Sequence, residues 1–136
     1  MTKTPSHIPF GLRSVNPYVI CTPFDTFTVF LSEVFGAEVI ERHLAPNENG
    51  DGERVMHAKV QLGDTIIEGS DGRPGTWPAM PGAFHVYVPD CDATFTRAVA
   101  AGATVSYEVS DMPYGERSGG VVDPFGNHWF IATARG

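Results

Sequence analysis

The stretch Val121-Val122-Asp123-Pro124-Phe125-Gly126-Asn127-His128-Trp129-Phe130-Ile131-Ala132-Thr133 reads as one hairpin. An apolar run enters Asp-Pro, the chain turns at Phe-Gly-Asn, and an apolar run returns. Pro124 fixes its own φ and removes a donor, and Gly126 can supply a positive φ. On the return strand His128, Phe130 and Ala132 point one way, while Trp129, Ile131 and Thr133 point the other. One face must pack on the helices of the domain. The other must meet something else. Trp129 is expected in the core and Phe130 on the cavity side.

Upstream of this hairpin, residues 110–120 read as a loop that carries Tyr114 and Arg117, and residues 103–109 read as a strand. Before them comes a helix with Phe95, Ala98 and Val99, capped by Asp90 or Asp92 and ended by Gly102. Phe84, Val86 and Val88 alternate with His85 and Tyr87, the period of a strand. Residues 70–82 (SDGRPGTWPAMPG) are the most Pro/Gly-rich stretch and read as a connector.

The first half follows the same order. A strand is expected over 13–21, with Val15, Pro17, Val19 and Cys21 on one face and Ser14, Asn16, Tyr18 and Ile20 on the other. A helix follows, with Thr22 as N-cap, Pro23 as its first residue and Asp25 in the first turn. Phe27, Phe30, Leu31, Val34 and Phe35 form its core-facing stripe, and Gly36 stops it. Strands are expected over 37–44, 54–62 and 65–70, the second showing His57, Lys59 and Gln61 on one face. Residues 1–10 read as a loose arm carrying His7, and His43 reads as a surface residue.

The halves repeat one another. Thr26-Phe27-Thr28 returns as Thr94-Phe95-Thr96, and Gly36-Ala37-Glu38-Val39 returns as Gly102-Ala103-Thr104-Val105. An internal repeat is evidence about architecture. The unit is a strand, a helix and three strands, used twice. The expected organisation is one domain over 1–136, with a first module at 11–70, a connector at 71–83 and a second module at 84–136. Each module curls a sheet, with its helix on the convex side and a concave face left open.

The 136 residues carry a formal net charge of −7. That argues against a nucleic-acid phosphate backbone or an anionic membrane as partner. No stretch reaches transmembrane length, and the N-terminus lacks the apolar run of a signal peptide. Cys21 and Cys91 do not make a disulfide framework, so a reducing cytoplasm with both thiols buried is expected.

The duplicated βαβββ pattern resembles the vicinal oxygen chelate superfamily, the glyoxalase/bleomycin-resistance/dioxygenase group. The resemblance is carried by Phe35-Gly36-Ala37-Glu38, His57-Ala58, Gly63-Asp64 and Ala101-Gly102-Ala103. Tyr114-Gly115-Glu116-Arg117 and Asp123-Pro124-Phe125-Gly126-Asn127-His128-Trp129 complete it and are similar to the PhnB-like, glyoxalase-like subgroup. The resemblance implies an α+β fold of two curled mixed sheets, and commonly a homodimer with ligand clefts shared between chains. Fold alone does not give function.

In metal-using relatives the first and last strands of each module supply the ligands. By strand position these seats fall near Asn16, at Glu68, at His85 and at Phe130. A benzyl ring cannot ligate. A divalent metal therefore requires Glu68 and His85 with His57 or a partner-chain residue, in a site with an open position. Without a metal, Asn16, Tyr18, His57, Glu68, Trp77, His85, Tyr87, Tyr114 and Phe130 are the expected ligand-binding residues. Tyr18, Tyr87 and Trp77 are possible neighbours of Phe130, a box suited to a flat aromatic molecule.

Trp77 is either a flap over a ligand or a plug for the connector. Arg117 is expected to pair with Asp111 or Asp123 and hold its loop. No nucleophile elbow, phosphate-binding glycine loop or Cys-x-x-Cys occurs. The first expectation is thus a protein that binds and sequesters an aromatic natural product or antibiotic, with no cofactor and no catalysis. The alternative is a metal-dependent glyoxalase-like lyase or isomerase, or a dioxygenase.

Overall fold

The computed structural model describes residues 7–136; most of the expected arm over 1–10 lies outside them, and residues 7–10 run through turns and a bend. The chain order is β1 (Tyr18–Ile20), α1 (Phe24–Phe35), β2 (Glu38–Pro46), β3 (Glu53–Leu62), β4 (Thr65–Ser70), β5 (Ala83–Tyr87), α2 (Cys91–Ala100), β6 (Thr104–Met112), β7 (Glu116–Val122) and β8 (His128–Ala134). The βαβββ unit is used twice. Its strands form two four-stranded sheets, ordered β1-β4-β3-β2 and β5-β8-β7-β6. β1 runs parallel to β4, and β5 parallel to β8; the other neighbours are antiparallel. The fold is α+β, with curled, open sheets.

The chain forms two compact units. One takes the described residues up to Thr28 together with Ala37–Ala79; the other takes Val29–Gly36 together with Met80–Gly136.

In the first unit the strand expected over 13–21 shrinks to three residues. The Asn16 side chain closes a turn instead. Its Oδ1 accepts from the Arg13 N–H at 2.8 Å and its Nδ2 donates to the Arg13 carbonyl at 2.7 Å. Val15, expected to share a face with Val19 and Cys21, stands exposed while they are buried. The expected cap also differs. Helix α1 begins at Phe24, and the Pro23 carbonyl accepts from the Thr26 and Phe27 N–H groups. Thr22 turns its hydroxyl to the Gly72 N–H instead, at 2.9 Å. The Phe24 N–H donates to Asp71, a carboxylate forty-seven residues away that also takes the Val55 N–H. A helix N-terminus favours such an anion. Gly69 keeps β4 open to the helix, because a Cβ there would run into the Phe24 ring. Val19, Cys21, Phe27, Ala58 and Val60 are buried around it.

In the second unit Asp90 is the N-cap of α2, its carboxylate accepting from the Ala93 N–H at 3.2 Å. Gly102 ends the helix at φ +104°, and the Ala103 N–H reaches back to the Ala98 carbonyl. This is the six-to-one bond of a Schellman stop. Cys91, Thr94, Phe95 and Ala98 face inward. Val99 does not; it is exposed, one position round the helix from the buried stripe. The expected loop over 110–120 is mostly strand: β6 runs to Met112, a turn follows, and β7 begins at Glu116. The polar residues that suggested a loop lie on a sheet with an open face. Gly119 is buried on its other face, where a Cβ would sit 2.7 Å from Phe95 Cδ2.

The hairpin between β7 and β8 is organised by one carboxylate. Asp123 is buried and accepts from the Phe125 N–H, the Asn127 N–H and Nδ2, and Trp129 Nε1 at 2.8 Å. Asn127 in turn takes the Gly82 N–H on its Oδ1. Trp129 is buried, as the alternation predicts, and packs on Phe84 and Phe35 at ring distances of 4.6 and 4.9 Å. Both cysteines are buried, and the Cys91 thiol donates to the Ile131 carbonyl at 3.1 Å. Among the described residues no helix is long and apolar enough to cross a membrane.

Candidate functional site

Phe130 lies opposite Trp129 in direction, and its fate follows from that parity. Trp129 is 1% exposed, whereas Phe130 is 37% exposed. The register places His85 beside Phe130, Phe130 beside Gly120, and Gly120 beside Tyr107. Side chains paired across neighbouring strands share a face. This row therefore crosses all four strands of the second sheet on the side away from Phe95.

The row is mainly aromatic. The Tyr107 ring stacks with Phe130 at 6.3 Å, and the His85 ring meets Phe130 edge-on at 6.5 Å. Tyr87 lies against His85 at 4.6 Å. Gly120 makes this possible, because a Cβ there would run into the Tyr107 ring. The Tyr107 hydroxyl shares a 2.7 Å hydrogen bond with buried Ser118.

At one end of the row sits Glu116, which sequence reasoning missed. It is 6% exposed. Its Oε2 lies 2.9 Å from His85 Nε2, and its Oε1 takes a long 3.4 Å bond from the Tyr87 hydroxyl. The Tyr87 phenol is pushed above its ordinary pKa, first by loss of solvent, then by the Glu116 charge and hydrogen bond, and last by Tyr114. Tyr114 itself stands exposed in the turn before β7. A signal for Glu116 was present: Glu116, Ser118 and Gly120 alternate in step with Ala134, Ala132 and Phe130.

Arg117 points to the other side of β7. It meets Asp92 at 2.7 and 2.9 Å and Asp111 at 3.2 Å. The expected Asp111 partner is there; Asp123 is not, because its oxygens are filled by the hairpin's own donors. Asp92, at the start of α2, takes its place. Its carboxylate is held below the ordinary aspartate range by the Arg117 hydrogen bonds, and the guanidinium is raised in turn.

The other expected site residues belong to the first unit. Tyr18 pairs with Glu68 in the sheet and its ring lies 5.9 Å from that of His57. His57 Nε2 is 3.4 Å from Glu68 Oε1. Lys59 meets Glu41 at 3.2 Å, and the His43 and His57 rings stack at 6.4 Å. This open face thus sets carboxylates beside a lysine and two imidazoles. Asn16 and Glu68 border a depression of about 370 Å³ walled by His7, Pro9 and Arg13. Trp77 is 40% exposed in a tight turn with Arg73, whose guanidinium lies 5.2 Å over its ring. Arg73 is also paired to Glu48.

A three-donor metal set would need His57, Glu68 and His85 together. The structure pairs His57 with Glu68 in one unit and His85 with Glu116 in the other. Among the described residues no three His, Cys, Asp or Glu side chains are grouped to hold a metal ion. The donors present make two imidazole–carboxylate pairs, and a metal ion at either would need a further donor.

The sequence profile of the Glyoxalase/Bleomycin resistance protein/Dioxygenase superfamily matches residues 19–131. An uncharacterized protein of Mycobacterium bovis is 31% identical over 128 residues, covering 87% of this chain and 81% of its own. TioX from Micromonospora sp. ML1 is 25% identical with a TM-score of 0.67, covering 91% of this chain and 98% of TioX. A PhnB protein from Bacillus cereus has the same fold at 18% identity, with a TM-score of 0.68 over 90% of this chain and 100% of that one. The repeated βαβββ unit, its two curled sheets and this match over most of its length place the chain in the glyoxalase/bleomycin resistance protein/dioxygenase superfamily.

Proposed function

We propose that this protein binds a flat aromatic small molecule, such as an antibiotic or another aromatic natural product, on the open face of its second sheet. It does so without metal and without chemistry, and protects by sequestering the ligand through mass action. The observation that carries this reading is the exposed Phe130 ring between Tyr107 and His85. Tyr87 extends the same aromatic surface through His85, and Tyr114 is offered as a further ring from the exposed turn before β7. Each well-placed ring pair adds about 0.5–1.5 kcal/mol beyond the area it buries. The matched family's description includes a bleomycin resistance protein, which fits the reading. We place the protein in a reducing cytoplasm and pair it with a second copy of itself. Exposed Val39, Ile40 and Leu44 on the edge strand β2 support that pairing.

The test is calorimetry with a panel of planar aromatics. The reading expects micromolar binding that weakens about tenfold in Phe130→Ala, near 1.4 kcal/mol. It falls if nothing in the panel binds tighter than tens of micromolar, about −6 kcal/mol.

The second reading is a metal-dependent lyase, isomerase or dioxygenase. It draws on the two imidazole–carboxylate pairs, His57 with Glu68 and His85 with Glu116. It needs a further donor that neither pair contains. Stoichiometric Zn, Ni, Mn or Fe in protein purified without chelator favours it over sequestration.

A further inference from the structure

A buried carboxylate needs a compensating partner. Removing an ionised group from water is costly unless hydrogen bonds or an opposite charge replace the solvent. Glu116 is 6% exposed, yet neither of its partners is an arginine or lysine. Two arginines lie next to it in sequence or pairing, and both are drawn elsewhere. Arg117 gives its guanidinium to Asp92 and Asp111. Arg135 donates its backbone N–H to the Gly115 carbonyl, and its side chain reaches Asp111 at 3.6 Å. The fixed cations of this region therefore serve the opposite side of β7.

What holds Glu116 is adjustable. His85 has a 43% exposed side chain, and Tyr87 is 61% exposed. The bond from Tyr87 to Oε1 is long at 3.4 Å, so a stronger donor gains by replacing it. The same His85 that binds the carboxylate meets Phe130 edge-on. One negative oxygen thus stands at the margin of an aromatic platform whose ring faces also attract cations.

We infer that the second sheet selects planar aromatic cations bearing an N–H group, the ring lying on Phe130 and Tyr107 and the N–H meeting Glu116 Oε1. Glu116 is the specificity-determining residue, and His85 and Tyr87 position its carboxylate. This inference rests on the aromatic-binding reading above and narrows it to a charge class. Exposed rings alone would accept neutral, anionic and cationic molecules of one shape alike.

Three acridines of similar outline test it: an aminoacridinium cation, neutral acridine at mildly alkaline pH, and an acridine carboxylate. Calorimetry is run on the wild-type chain and on Glu116→Gln, with thermal melts as the check on folding. The expected result is that the cation binds at least about tenfold tighter than acridine, and the carboxylate weakest. In Glu116→Gln the gap between cation and neutral ring closes. Equal affinities in the wild-type chain overturn the charge class and leave the aromatic reading standing. A gap that survives in Glu116→Gln overturns the role of Glu116. Failure of all three to bind overturns the aromatic reading and this inference with it. Should the variant not fold, the three affinities of the wild-type chain still decide the charge class.

Discussion

Asp123 shows how much of a fold one side chain can hold. Its two oxygens collect the Phe125 and Asn127 backbone donors, the Asn127 amide and the Trp129 indole N–H. The turn was legible in Asp-Pro and in Gly126, which sits at φ +90° as its freedom allows. The buried indole was legible from alternation. The hub itself was not, because sequence order offered Arg117 as an obvious partner for Asp123. Hydrogen bonds from near neighbours won over a charge six residues back along the chain, which Asp92 and Asp111 hold. Asp123→Asn keeps the shape but turns an N–H₂ toward groups that are already donors. We expect a loss of about 3 kcal/mol, the range for breaking one side of a buried charged network. Urea unfolding should show a lower midpoint with the same slope. A loss below about 1 kcal/mol, an ordinary single hydrogen bond, would mean the carboxylate is not the hub.

Elements were read best where two signals agreed. Gly36 and Gly102 both stop helices at positive φ, and the alanine after each is buried. The repeated Thr-Phe-Thr also earns its repetition. Thr28 and Thr96 each bond a carbonyl of the preceding turn, at 2.8 and 3.0 Å, beside a buried Phe. Where only composition spoke, the reading failed. Ser, Asp, Gly and Glu over 110–120 suggested a loop, yet most of that stretch is β6 and β7. The small residues are there because rings cross them: Phe95 over Gly119 on one face, Tyr107 over Gly120 on the other. Glu116 went unseen for the same reason. The α2–β7 contact carries a prediction of its own. Arg117 lowers the Asp92 pKa, so the folded state holds fewer protons there than the unfolded chain. This pair's contribution is complete above the ordinary aspartate pKa and is lost as pH falls through the lower folded value. Titration of Asp92 by carboxyl NMR should show a depressed midpoint that moves up in Arg117→Ala. The variant should also lose less stability than wild type across that acidic window. An unchanged midpoint would show that Arg117 does not hold Asp92 in solution.

At the scale of the molecule, the duplication has produced two sheets of one topology and two surfaces of different chemistry. The open face of the first sheet interleaves Glu41, Lys59 and Glu68 with His43 and His57, so each of its carboxylates already has a polar partner there. The open face of the second has Phe130, Tyr107 and Tyr87 around a carboxylate without a fixed cation. Paired polar groups on an exposed surface offer a ligand little, because solvent already screens them and each partner must first be released. Exposed rings offer area that water leaves readily. A flat aromatic ligand should therefore choose the second surface. In amide and aromatic NMR spectra, an added planar aromatic is expected to shift His85, Tyr87, Tyr107, Glu116 and Phe130 together. Tyr18, His57 and Glu68 should move far less at the same occupancy. Shifts centred on Tyr18, His57 and Glu68 instead would move the binding surface to the first sheet, and Phe130 would then be an exposed ring without a ligand to serve.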